Sequence, residues 1–412
     1  MTDLYKIALR NLLRYKRRTL LTASLITIGV VFVLIFVAVS GSFKAMMIGQ
    51  ITDSMMGHIQ IHKKGYVASI DNLPLNLNLK SQAFARLDEI LRSRKDIEAF
   101  SPRLKFGGLF SNFAESTNVR LNGVYPEREF KTVPLLTSRI TEGKKTVGKG
   151  EILIPALLAK GMKVKVGDPV VIVATNQDGS VNGKQFVVAG ILEGVTGPGG
   201  RDGYIHIEDA AELLRMPALE ISEIAIRLKD FDRLQPAFQE ISKQLEAEFL
   251  KDDKFPLEIH TWEGLSPFFN IARMLDVMTF FIKLMLVALV LISVLNVMVM
   301  AVYERIREIG TMAAIGTPPS KILSLFMLEG LSLGVLGAIT GGAVGFALLS
   351  ALNLSRITFD FGLQKGLLLR ASVNPIDFAA IALIVILVSV VASLEPAFKA
   401  SRMEPIVALR HV

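Results

Sequence analysis

Only a few stretches of this 412-residue chain place side chains at spacings that suit chemistry, and each has a plainer reading beside the chemical one. Residues 143–150 read GKKTVGKG, one residue short of a loop that cradles phosphate with backbone amides. The position that would supply a magnesium-holding Ser or Thr is Gly150, and no strand–loop–helix pattern surrounds it, so a basic surface turn is expected. Residues 330–334 read GLSLG, which matches the nucleophile-elbow pattern GxSxG. Ser332 would need a base, however, and His58, His62, His206, His260 and His411 all fall outside the apolar runs. His58 and His62 share one face of a HIQIH alternation and could pair on a metal; no third ligand is apparent, so solvated strand histidines are expected. No zinc-protease motif, paired carboxylates or dinucleotide fingerprint occurs, so neither a catalytic nor a metal site is expected in this chain.

Two charges interrupt apolar sequence. Lys283 lies near the end of its run, where the ammonium can reach the interface. Glu329 lies seven residues into its run, about 10 Å deep at the rise of a helix. A charge in mid-bilayer costs roughly 2.5–3.5 kcal/mol on insertion scales. Glu329 is therefore expected to be paired or to face a hydrated cavity, with its role open.

The elements that must position these groups follow from composition. Hydrophobic residues make up 51% of the chain, charged residues only 20%, and the mean hydropathy is +0.46. Such apolar content excludes disorder. Acidic and basic residues balance over 40–278, so the net charge of +8 resides in the apolar remainder, which argues against nucleic-acid binding. The absence of cysteine excludes a disulfide scaffold and a thiolate metal site. Four apolar runs, 20–39, 279–303, 322–354 and 377–395, are long enough to cross a bilayer, which takes about 20 residues. The leader 1–19 carries Lys6, Arg10, Arg14, Lys16, Arg17 and Arg18 against Asp3, which predicts a cytoplasmic N-terminus and an uncleaved anchor. Residues 40–278 then lie outside, 304–321 inside, 355–376 outside as a short loop, and 396–412 inside as a tail.

The segment 40–278 has mixed texture. Strands are expected at 58–62, 151–155, 169–174 and 185–191, with the turn-rich NQDGSVNG (176–183) as a hairpin connection and 194–203 as a glycine loop. Apolar spacing predicts helices over 82–94 and 232–250, so the domain reads as α+β. From Ser266 the apolar pattern runs unbroken into the second span, as a stalk helix would. In the third run, Gly330, Gly334, Gly337, Gly341 and Gly345 line one helical face, a stripe that lets another helix approach closely.

Residues 303–322, YERIREIGTMAAIGTPPSKI, form a short amphipathic piece ended by Pro318 and Pro319. Together with the FMLEG helix that follows, the tail PAFKASRMEPIVALR (396–410), GHIQI, LNGVYPERE (121–129), GEILIPALLAKGMKVKVGD (150–168) and HTWEGLSP (260–267), this segment resembles the FtsX/MacB-type permeases of ABC transporters. The layout is most similar to that of the lipoprotein-releasing branch. The resemblance implies an α-helical protein of the bacterial inner membrane with four transmembrane helices. A large α+β periplasmic domain of two lobes is inserted between the first and second. It makes Glu304, Arg305, Arg307, Glu308, Ile309 and Gly310 a coupling helix for a separate ATPase subunit that binds ATP and magnesium. It implies no cofactor in this chain, a second permease copy, identical or not, contact with membrane lipid, and a periplasmic carrier or adaptor. The implied activity is mechanotransmission, with a lipoprotein or other amphiphile drawn from the outer leaflet. Efflux of peptides or macrolides, and control of a cell-wall hydrolase, are the alternatives.

Overall fold

The computed structural model describes residues 2–194, 201–249, 256–361, 364–405 and 408. Most of the expected glycine loop and the end of the tail therefore lie outside the described residues. The chain divides into two compact units. A helical unit comprises Met1–Lys44, Arg273–Thr358 and Leu368–Val412, and a sheet unit comprises Ala45–Ala272 and Phe359–Leu367.

The principal helices outside the sheet framework are α1 (Thr2–Arg14), α2 (Lys16–Ile51), α3 (Phe268–Glu304), α4 (Ile306–Ala314), α5 (Pro319–Leu354) and α6 (Pro375–Ser401). Among the described residues, α2, α3, α5 and α6 lie in the four segments long and apolar enough to cross a membrane. Helix is the form such sequence must take in lipid, because each backbone N–H and C=O finds its partner within the segment. α3 is unbroken from Phe268, so the pattern that begins at Ser266 is one helix. By contrast, α1 is amphipathic: Ala8 and Leu12 are buried while Lys6 and Arg10 are exposed. Val30 and Leu34 of α2, Val290 and Val294 of α3, Phe326 and Leu333 of α5, and Ile381 and Val385 of α6 share one apolar core.

The sheet unit is built on β1 (Ile59–Lys63), β2 (Ile97–Ser111), β3 (Ser116–Val124), β4 (Ile140–Gly143), β5 (Glu151–Pro155), β6 (Pro169–Thr175), β7 (Val181–Leu192), β8 (Gly203–His206), β9 (Glu223–Leu228) and β10 (Leu257–Thr261). They form one ten-stranded mixed sheet in the order β10-β1-β9-β2-β3-β8-β5-β7-β4, with β6 bridging β2 and β7. β6 and β7 pair antiparallel from Pro169↔Val187 to Thr175↔Val181, and residues 176–180 make the turn between them, with Gly179 at φ +83°. Helices Ser81–Ser93 and Leu234–Phe249 bury Leu87, Leu91, Ile241 and Leu245 against the sheet core. A second, smaller core gathers Val124, Leu136, Ile140, Leu153, Leu192 and Tyr204.

The histidine expectation is overturned. His58 and His62 are buried, because β1 is covered on both faces. His58 precedes the strand and accepts the Leu228 N–H at 3.0 Å, while His62 stacks on Tyr66 with ring centroids 5.3 Å apart.

Candidate functional site

The amphipathic turn between α3 and α5 is built by local rules. α3 stops at Glu304; Arg305, at φ −115° and ψ 19°, is the single non-helical residue before α4. α4 ends where the Gly316 N–H reaches Ala313 O and the Thr317 N–H reaches Met312 O, a closing pattern that requires the left-handed φ of +89° at Gly316. Pro318 is extended and Pro319 opens α5, where its missing N–H costs nothing.

Side chains of α4 divide by face. Ile306, Ile309 and Gly310 point inward, and a Cβ on Gly310 would lie 2.6 Å from that of Ala408 in the tail. Glu304, Arg307 and Thr311 are exposed, and Ile315, just past the helix, is 80% exposed. Of the six residues assigned to a partner by resemblance, Glu304 and Arg307 are exposed and Glu308 half-exposed. Arg305, Ile309 and Gly310 are buried against their own chain.

Arg305 is 4% exposed and donates through Nη1 to Glu329 Oε1 at 2.8 Å and through Nε to Glu308 Oε2 at 2.9 Å. Glu329, 1% exposed, also accepts from Asn11 Nδ2 at 2.8 Å. The intramembrane carboxylate is thus paired, as its desolvation requires. Arg14 meets Glu308 at 3.3 Å and Arg18 meets Glu304 at 2.8 Å, so α1 and the start of α2 are tied to the same turn. Lys283 lies 3.7 Å from Asp377.

The glycine stripe of α5 is occupied within the chain by two different helices. A Cβ on Gly330 or Gly334 would come 2.6 Å from Ser393 or 2.7 Å from Ser389 of α6. On Gly341 or Gly345 it would come 2.7 Å from Val30 or 2.8 Å from Leu34 of α2, and on Gly337 it would overlap Ile26. Ser332 spends its hydroxyl on Leu328 O at 2.7 Å. Asn11, Ser389 and Ser393 carry no signal by which they were singled out, although the two serines four apart on an apolar helix match the glycine spacing.

In the sheet unit the charged residues gather at the centre of the sheet. Arg103 of β2, 2% exposed, lies 2.7 Å from Glu129 and 2.9 Å from Glu223, and Lys105 lies 2.9 Å from Glu223. Burial alone would raise the Glu223 carboxyl, but Lys105, His62 and Arg103 hold it well below the ordinary carboxylate range. Burial pushes the Tyr204 hydroxyl up to about 12. A cavity of about 340 Å³ opens here, lined by Met55, Met56, Arg103, Arg120, Asn122 and Leu265 among others. In the 143–150 turn the two glycine amides that a phosphate loop would use bind carboxylates of the chain: the Gly148 N–H donates to Glu151 at 2.9 Å and the Gly150 N–H to Asp209 at 2.7 Å.

Comparison with known proteins fits this layout. Residues 19–244 match the MacB-like periplasmic core domain family, and residues 280–405 match the FtsX-like permease C-terminal family. The chain is 26% identical to the lipoprotein-releasing system transmembrane protein LolC of Neisseria meningitidis serogroup B, over 98% of each chain. It is 24% identical to LolC of Xylella fastidiosa strain 9a5c, over 71% of this chain and 72% of that one. It is 22% identical to the uncharacterized ABC transporter permease YknZ of Bacillus subtilis, over 98% of each. The two matched families cover, in turn, the stretch from α2 through most of the sheet unit and the stretch from α3 to the tail. The chain belongs to the FtsX/MacB-type permeases of ABC transporters.

Proposed function

We propose that this permease transmits force from a separate ATPase subunit, which binds ATP and magnesium, to a two-lobed periplasmic domain that lifts a lipoprotein or similar amphiphile out of the outer leaflet. The observation that carries the reading is the exposed flank of the turn around α4, with Glu304, Arg307, Thr311 and Ile315 presented outward while Arg305 at its start is tied to Glu329 of α5 and Glu308 to Arg14 of α1. A ridge so braced can be pushed without yielding. In this reading α4 and both termini are cytoplasmic, in keeping with the basic leader. The two apolar cores of the sheet unit are the two lobes, and a second permease copy completes the dimer. The similarity to LolC over nearly the whole chain favours lipoprotein release over efflux or hydrolase control.

The test is affinity purification of the native complex, with its proteins and lipids identified. An ATPase with a second permease or a carrier supports release. A membrane-fusion adaptor would replace it with efflux, and a cell-wall hydrolase with regulation. Arg307→Glu combined with Ile315→Glu should abolish ATPase retention at unchanged membrane level. Full retention would refute the docking face.

A further inference from the structure

Arg305 occupies the one position in the α3–α4 connection where the backbone leaves the helix, and so where bending costs least. Its side chain is nevertheless held on every side: by Glu308, by Glu329, and by the ring of Phe326, whose centroid is 5.6 Å from the guanidinium. Glu329 Oε1 is in turn shared, because the same oxygen accepts from Arg305 and from Asn11. One carboxylate oxygen therefore joins three elements: α1, the α3–α4 joint and α5. The next residue, Gly330, is seated on Ser393 of α6, so the tie lies within one residue of a further close helix contact.

An apolar seam alone can slip by a turn at little cost, since one greasy contact replaces another. A buried ion pair cannot, because sliding would strand both charges away from water. We propose that Asn11, Arg305 and Glu329 are positioning residues for the power stroke. They lock α1, α4 and the start of α5 into a single body, so that movement imposed on α4 reaches the membrane helices instead of being lost at the joint. The amphipathic leader helix is then part of the drive and not merely a surface anchor. Arg14–Glu308 forms its outer, solvent-exposed tie, and Arg18–Glu304 adds one from the start of α2. The inference rests on α4 being the face that the ATPase pushes.

The chain has no cysteine, so cysteines introduced at Phe113 and Leu354, both well exposed, can carry spin labels in the complete permease–ATPase complex. Three quantities are read: ATPase retention, ATP hydrolysis, and the change in label separation on addition of ATP with vanadate. Glu329→Gln should retain the ATPase and its hydrolysis while the nucleotide-driven shifted population falls about fivefold, the low end of ordinary coupling between sites. Asn11→Ala, which removes one hydrogen bond and no charge, should lower it less and guards against misfolding of the first variant. The exchange Arg305→Glu with Glu329→Arg should restore at least part of the shift. A merely structural role would lower retention, hydrolysis and shift together. That result, or a full shift in both Glu329→Gln and Asn11→Ala, overturns the inference. Loss of ATPase retention by the unaltered permease would instead overturn the coupling reading and take this inference with it.

Discussion

Both units bury an arginine against glutamates, and the difference between the two clusters separates a scaffold from a joint. In the sheet unit, Arg103 and Lys105 lie on the same strand and meet Glu223 of the neighbouring strand, with Glu129 behind. Cross-strand register already fixes their distances, so the charges specify an arrangement that the backbone holds anyway. In the helical unit, Arg305 and Glu329 are 24 residues apart, and Asn11 is 318 residues from Glu329. No ladder joins these helices. The side chains themselves set the register, which makes that cluster suited to transmitting movement.

The largest effect is expected where the helices approach most closely. Gly337→Leu with Gly341→Leu places bulk where even a Cβ meets Ile26 and Val30. Overpacking of this kind costs typically 1–3 kcal/mol per site, and the pair should abolish folding of the helical unit, seen as loss of full-length protein from the membrane fraction. Because the stripe is filled within the chain, the loss should precede any effect on dimer formation. A stable permease with an altered oligomeric state would show that the stripe serves a second copy after all.

Next comes Arg103→Ala, which strands Glu129 and leaves Glu223 to Lys105 and His62, and should cost about 3–5 kcal/mol. The chain has one tryptophan, Trp262, buried in the sheet unit with its ring edge-on to Phe269, so its fluorescence in urea reports that unit alone. An unchanged midpoint would mean that register, not charge, carries the whole arrangement.

Acid should separate the units less sharply. Glu223 titrates well below its usual 4.5 in the folded chain. A carboxyl depressed by folding contributes stability that is fully present above its unfolded value and is lost as pH falls through the folded one. The Trp262 transition should therefore move to lower urea only below about pH 4.5, and Glu223→Gln should flatten that dependence. An undiminished pH dependence in the variant would assign it to other carboxyls, such as Asp53, which His58 and Arg227 hold low against the opposing effect of burial.

What the sequence made legible follows the same division. The apolar runs, the 176–183 turn and the amphipathic 303–322 segment are local patterns, and the structure has elements at each. β2 was hidden because Pro102 and the Gly107–Gly108 pair break alternation, yet Gly108 has a use: a Cβ there would lie 2.8 Å from Val173 O, where β6 joins. The histidines were misread because a period of two tells which residues share a face and not whether that face is wet. Asn11 was invisible for a different reason. A lone asparagine in a basic amphipathic helix has no local peculiarity, and its partner is distant in sequence.

The smallest effect tests whether polar contacts in the helical unit matter apart from the buried triad. Thr27 of α2 and Thr340 of α5 bring their hydroxyls within 2.6 Å on an exposed flank of the glycine seam. Thr340 also reaches Leu336 O at 2.7 Å, so Thr27 is the donor when Thr340 bonds its own helix. Thr27→Val removes that donor while keeping the branched shape. Interhelical hydrogen bonds of this type average about 0.6 kcal/mol in membranes, because the separated helices find other partners. The variant should thus lower resistance to detergent unfolding only slightly and leave the label shift intact. A loss comparable to that of the glycine pair would mean that α2 and α5 are held by hydroxyls and not by close backbone approach, and the contrast between a sliding seam and a locked joint would no longer stand.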